Sequence, residues 1–161
     1  MAIPAHLWLK DDGGKLIKGT CDIADREDSI EIISFSHGVN LPTDPTTGKI
    51  TATRVHSPML LEKEFDSSSP SLYKAVATGQ TLNSAEIKWY RINDSGQEVE
   101  YFNMFLENVR VVAITPVMYN TRTVEKCNHL EYIELRYERI TWHYCEGNKR
   151  YTDAWNERIT V

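Results

Sequence analysis

The chain has 161 residues, a formal net charge of −5, and 41% hydrophobic against 25% charged residues. These proportions exclude a disordered segment, and no apolar run approaches the roughly 18 residues of a membrane-spanning helix. Apart from Lys149-Arg150, Lys and Arg fall singly, without the basic stripe that tracks a phosphate backbone, so neither nucleic acid nor membrane insertion is expected.

The length suits one domain, 1–161, with a sizeable core. At its start Ile3, Ala5, Leu7 and Leu9 alternate like a strand. No basic region, apolar stretch and small-residue cleavage site precede them, so a cytosolic protein is expected. Cys21, Cys127 and Cys145 form an odd set without framework spacing, which fits reduced thiols. Asp11-Asp12-Gly13-Gly14 then reads as a tight turn.

Strand-like segments follow near 15–22, 29–36, 50–56, 59–65, 84–92, 97–106, 108–117, 130–144 and 150–160, a mainly β pattern. Ile30 and Ile32 change parity to Ile33 and Phe35, as a bulge would require. Leu41 to Thr53 holds two prolines, one glycine and five threonines, too polar for a core, and reads as a protruding loop. It is either a solvated connector or a preorganised contact surface stiffened by its prolines.

One short helix is expected at about 70–78, with Ser69 as N-cap, Pro70 at the first helical position and Gly79 as the stop. Leu72, Ala75 and Val76 would form its apolar face and lay it against the outside of the sheet. Residues 88–103 read as a β-hairpin closed by Asn93-Asp94-Ser95-Gly96, with Gly96 in positive φ. Aromatic rings on both of its faces call for cover on both sides, from the interior and from a helix or a neighbouring chain. Ile133, Leu135 and Tyr137 share one parity and Ile140, Trp142 and Tyr144 the other, which predicts a bulge near Glu138 or Arg139. Glu146-Gly147-Asn148-Lys149 closes a last hairpin. Repeated bulges curl a sheet until it closes, so the predicted fold is a mainly β, antiparallel barrel of two curled sheets with one flanking helix.

Chemistry finds little support. Cys127, His129, His143 and Cys145 would offer two thiolates and two imidazoles if their strands met. One residue between the members of each pair is shorter than the usual two to four, so no metal site and no cofactor is assigned. His6, His37 and His56 are isolated in sequence and read as structural. Glu98 with Glu100, and Glu131 with Glu134, could be drawn as an acid and a base, but read better as charges on solvated strand faces. There is no nucleophile elbow, P-loop or dinucleotide fingerprint, so no catalytic residue is named and an enzyme is not expected. An acidic β domain of this kind more often assembles than catalyses, by heterologous contacts that close a ring.

Met1-Ala-Ile-Pro-Ala5, Leu7-Trp-Leu-Lys-Asp-Asp-Gly-Gly14, Tyr73-Lys-Ala-Val-Ala-Thr-Gly-Gln-Thr81, the 88–103 hairpin and Leu135-Arg-Tyr-Glu-Arg-Ile-Thr-Trp142 together resemble the haemolysin-coregulated protein (Hcp) family, along the whole chain. The chain departs from that family at Cys127-Asn-His-Leu-Glu131, where a histidine is more usual first. The resemblance implies a subunit of the type VI secretion inner tube. Hexameric rings would stack into a tube, be ejected by sheath contraction and carry small effector proteins in the lumen. Partners would be copies of itself, a spike protein of the VgrG type and the contractile sheath. It would reside in the bacterial cytoplasm before firing and be secreted without a cleaved signal peptide, to the medium or into target cells. Ring stacking would fall on the loop at Asp44, Thr46, Thr47, Gly48 and Lys49. Six copies at −5 sum to −30, so salt should favour assembly. The alternative is a monomeric β-barrel binding module of unrelated function.

Overall fold

The computed structural model describes residues 3–125, 128–155 and 157. Alternation makes β1 (Ala5–Lys10), which buries Ala5, Leu7 and Leu9 and turns back at once into β2 (Leu16–Ile17). The Asp11 side chain closes that turn by accepting the Gly13 and Lys15 amides at 3.0 and 2.9 Å. β3 (Ile30–Ile32), β4 (Ser34–Ser36), β5 (Val39–Asn40), β6 (Val55–His56) and β7 (Met59–Glu64) follow. After α1 (Ser69–Thr78) come β8 (Thr81–Ile92), β9 (Glu98–Val117), β10 (Leu130–Arg136), β11 (Arg139–Tyr144) and β12 (Lys149–Ala154).

β9 is the spine. β8 pairs along one edge; β10 and then β11 pair in succession along the other, from Leu130↔Val117 to Tyr144↔Phe102. β7 continues beyond β10 and β4 beyond β7, while β1 lies on β8 and β3 on β1, all antiparallel. Ile33 alone separates β3 from β4, so the segment 30–36 joins β1 to β7 and the hydrogen-bonded path returns on itself. The curled halves are thus continuous parts of one ten-stranded sheet, with β5 and β6 forming a separate two-stranded sheet.

Bulges do the bending. The register of β8 on β9 slips between Trp89 and Tyr90, and that of β10 on β9 slips between Glu134 and Leu135. The expected change of face at 138–139 is a break between β10 and β11 opposite Asn108, whose φ is +53°. Left-handed backbone at a non-glycine residue is accepted most readily by Asn, which turns the corner here without a separate loop. Segments expected as 97–106 and 108–117 are one strand for that reason. Ile33, where the parity of this segment changes, is 48% exposed, and its amide donates to Glu62 O where the strand passes from one neighbour to the other.

Leu7, Leu9, Ile30, Leu61, Ile87, Leu106, Ile133 and Leu135 are buried in one core. Burying such side chains contributes roughly 1.5–3 kcal/mol each. Leu72 and Ala75 of α1 belong to the same core, with Val76 packed at its edge and Gly79 in left-handed backbone at the helix end. Ser69, expected as N-cap, is instead the first helical residue; the cap position is Ser68, whose side chain makes no capping bond. The Ser69 hydroxyl is drawn elsewhere, accepting the Asp66 amide at 3.1 Å and donating to Glu131 Oε2 at 3.0 Å.

Candidate functional site

The polar loop is an organised arm. Val39↔His56 and Asn40↔Val55 pair at its foot, the Thr51 amide donates to Pro42 O at 2.9 Å, and Thr43 bridges Ile50 nearer the tip. Only 55–56 of the expected strand 50–56 is strand, because the ladder stops where the tip begins.

The structure brings Asp44, Thr46, Thr47, Gly48 and Lys49 together at that tip. The Asp44 amide donates to Lys49 O and the Gly48 amide to Asp44 O, both at 2.8 Å. Asp44 Oδ1 accepts the Thr46 and Thr47 amides at 2.7 and 3.0 Å, an Asx turn that presets the backbone. These bonds, that of Thr47 foremost, hold the Asp44 carboxyl below the usual carboxylate range. Gly48 has φ +73°, backbone that the tip requires and glycine supplies without strain. Leu41 and Ile50 stand 52% and 64% exposed, so the arm also presents apolar surface.

Its foot is bolted to distant strands. Arg54 Nε lies 2.6 Å from Asp153 Oδ2 and its Nη2 donates to Ala154 O at 2.7 Å. His56 Nε2 meets the same Asp153 oxygen at 2.7 Å, His56 Nδ1 meets the Tyr137 hydroxyl at 2.6 Å, and His37 Nε2 meets that hydroxyl at 2.7 Å. One assignment satisfies every group: His37 Nε2–H donates to the tyrosine oxygen, Tyr137 O–H to His56 Nδ1, and His56 Nε2–H to Asp153. The Arg54 hydrogen bond is the main cause that lowers the Asp153 carboxyl. Burial lowers His37 and raises Tyr137. Trp142 stacks on the His56 ring, and Trp155 Nε1 donates to Tyr137 O.

Two further polar clusters are structural. Lys63, 1% exposed, lies 2.8 Å from Glu131 and 3.0 Å from Asp66, and donates to Ser69 Oγ and Glu64 O. Glu131 is therefore a buried ion-pair member and not a charge on a solvated face. Glu98 pairs with Arg26, and Glu100 lies 4.0 Å from Lys88. His6 is buried between Ser29 Oγ at 3.0 Å and Arg26, which itself stacks over Tyr90. The three histidines isolated in sequence thus all have partners in space, none of which local pattern could reveal.

Cys127 of the possible metal set lies outside the described residues. Of the rest, His129 sits beside Phe65 near the end of β9, while His143 pairs with Asn103 towards its start and bonds to Asn148. Among the described residues no group of three or more His, Cys, Asp or Glu is placed to hold a metal ion. Burial raises the Cys145 thiol. Among the described residues no helix is long and apolar enough to cross a membrane.

Fold and arm define a small, mainly β protein whose curled antiparallel sheet presents a hairpin braced at its foot by Arg54 and His56. Residues 7–144 match the family described as type VI secretion system effector, Hcp, and the chain belongs to it. It is 33% identical over 135 residues to the major exported protein of Pseudomonas aeruginosa, covering 83% of this chain and 78% of that one. The Hcp1 protein of the E. coli EAEC 042 pathovar, solved as a double mutant, superposes with a TM-score of 0.88 at 61% identity, over 96% of this chain and 99% of that one. The secreted protein Hcp3 from Pseudomonas aeruginosa superposes with a TM-score of 0.80 at 27% identity, over 97% of this chain and all of that one.

Proposed function

We propose that this chain is the single-domain structural subunit of a type VI secretion inner tube. Six copies close into a ring, and rings stack through the arm with Asp44, Thr46, Thr47, Gly48 and Lys49 at the contact. The tube is driven out of the bacterial cytoplasm by sheath contraction, behind a spike of the VgrG type, with small effector proteins in its lumen. The subunit works as a wall and carrier and not as an enzyme. The observation that carries this reading is the likeness to Hcp1 across almost the full length of both chains. The preorganised tip supports the placing of the contact, since a surface already fixed by its own hydrogen bonds loses little entropy on docking.

Negative-stain microscopy and size-exclusion chromatography of the purified protein test it. Wild type gives six-membered rings, and Lys49→Glu keeps rings while losing tubes. Loss of the ring itself in that variant would move the arm to the contact between neighbours in one ring. A protein that stays monomeric at every salt concentration would leave the chain as a β-barrel binding module.

A further inference from the structure

On the outer face of the sheet Arg110 of β9 and Arg136 of β10 stand directly opposite each other in the ladder, and both are exposed. Side chains so placed have Cβ atoms about 4.5–5.5 Å apart, and like charges in that position destabilise a sheet. Neither guanidinium has an ion-pair partner among the described residues, whereas Arg26, Arg54, Arg91 and Arg139 each hold a carboxylate. Each is instead anchored by one neutral oxygen. Arg110 Nε donates to Thr81 Oγ1 at 3.2 Å, and Arg136 Nη1 donates to His56 O at 3.3 Å. Among the described residues this leaves the Nη1–Nη2 edge of Arg110 and the Nε–Nη2 edge of Arg136 uncommitted, two N–H forks of the kind that fit the paired oxygens of an oxyanion.

The two arginines share a cleft of about 450 Å³ with Asn108, Val112, Glu138 and Trp155. Val112 is 44% and Trp155 47% exposed. Because Trp155 Nε1 is spent on Tyr137 O, its indole offers a ligand carbon surface and no donor. Glu138, the one acid of the lining, accepts the Asn108 side-chain amide at 2.9 Å. Two cations therefore stand against one anion inside the cleft. Outside it acids outnumber bases, with Glu134 on the same face of β10 and Glu107 and Glu157 flanking Arg139 in the adjoining cleft.

We infer that this cleft binds a phosphate monoester carried on a flat ring, the chemical class of a nucleoside monophosphate. The phosphate sits between the two guanidinium forks, and the ring lies against Trp155 and Val112. A phosphate monoester carries about −1.5 to −2 charges at neutral pH, which offsets the repulsion within the arginine pair more fully than one carboxylate does. A flat ring matches the indole, since stacking on an aromatic surface needs no hydrogen bond from it. The acids around the cleft limit the ligand to one compact anion, because the next phosphates of a nucleic acid would meet Glu134, Glu107 or Glu157.

Isothermal titration of the assembled protein with AMP, ribose 5-phosphate, adenosine and inorganic phosphate tests this. AMP binds, ribose 5-phosphate binds at least about tenfold more weakly, and adenosine gives no heat. Arg110→Gln abolishes AMP binding, and Arg110→Lys, which keeps the charge but not the fork, weakens it about tenfold. Trp155→Leu lowers the affinity for AMP to that for ribose 5-phosphate and leaves the latter unchanged. Size-exclusion chromatography of each variant shows that it assembles as wild type does, so assembly and ligand binding are read separately. AMP binding undiminished in Arg110→Gln would overturn the site. Equal affinities for AMP and ribose 5-phosphate would overturn the ligand class, and no heat from millimolar AMP with assembled wild-type protein would overturn both.

Discussion

The Tyr137 hydroxyl and His56 Nδ1 stand 2.6 Å apart although 81 residues separate them in the chain. Through that bond the foot of the arm is joined to the break between β10 and β11, and through Asp153 to β12. The arm is therefore held by the ends of three strands as well as by its own two-stranded base.

Tyr137→Phe keeps the buried ring and removes the oxygen that both histidines use. It leaves polar nitrogens of His37 and His56 without that partner at a cost of about 1–3 kcal/mol. Urea unfolding measures the loss, and faster amide exchange at 37–40 and 54–57 than elsewhere shows that the foot has loosened first.

Lys63 is the cation between two carboxylates in the body. Lys63→Ala leaves Glu131 and Asp66 buried beside no positive charge and costs about 3–5 kcal/mol. Lys63→Met combined with Glu131→Leu recovers part of this, because both partners then leave the interior together. Denaturation midpoints of the two variants compare directly.

Acid should weaken the fold well above the range in which carboxylates titrate. His6 is held down to about 4, first by burial and then by Arg26, with Glu98 opposing, and burial also lowers His37. In the unfolded chain a histidine takes its proton near 6.5, so between that pH and about 4 the unfolded state binds more protons. Stability is complete above the window and falls as pH falls through it, by up to about 3 kcal/mol for His6 alone. Urea midpoints recorded from pH 7.5 to 4.5 measure the slope, which His6→Gln reduces. Asp153, lowered chiefly by Arg54, has the same sign but acts only at or below the ordinary carboxylate range.

Gly19 is fixed by close approach and not by its dihedral angles. Its amide donates to Asp28 O at 2.8 Å, and a methyl group there would overlap the Ser29 carbonyl. Gly19→Ala forces residues 18–21 away from 28–30 at a cost of about 1–3 kcal/mol, read as a lower melting temperature.

Hairpins were legible because alternation and turn chemistry are local. The 93–96 turn, the helix stop at Gly79 and the change of face at 137–139 follow from residues within a few positions of each other. The 41–53 stretch was readable as a polar loop outside the core, although its hairpin pairing was not, since proline and threonine hide the ladder. Partners across the sheet left no local trace. His56 and Asp153 lie 97 residues apart, and Arg26 reaches Glu98 across 72. Ser69 before Pro70 has the form of a cap, yet the neighbouring Lys63 and Glu131 take its hydroxyl. Glu131 looked solvated because its burying cation sits on another strand.

Beside the short covalent connectors at 37–38 and 57–58, the arm has a second attachment, in which Arg54 reaches Asp153 of β12, itself laddered to β11 and through it to the twenty residues of β9. Displacing the arm therefore also breaks the Arg54–Asp153 pair, so its orientation is coupled to the main sheet as well as to its own backbone hinge.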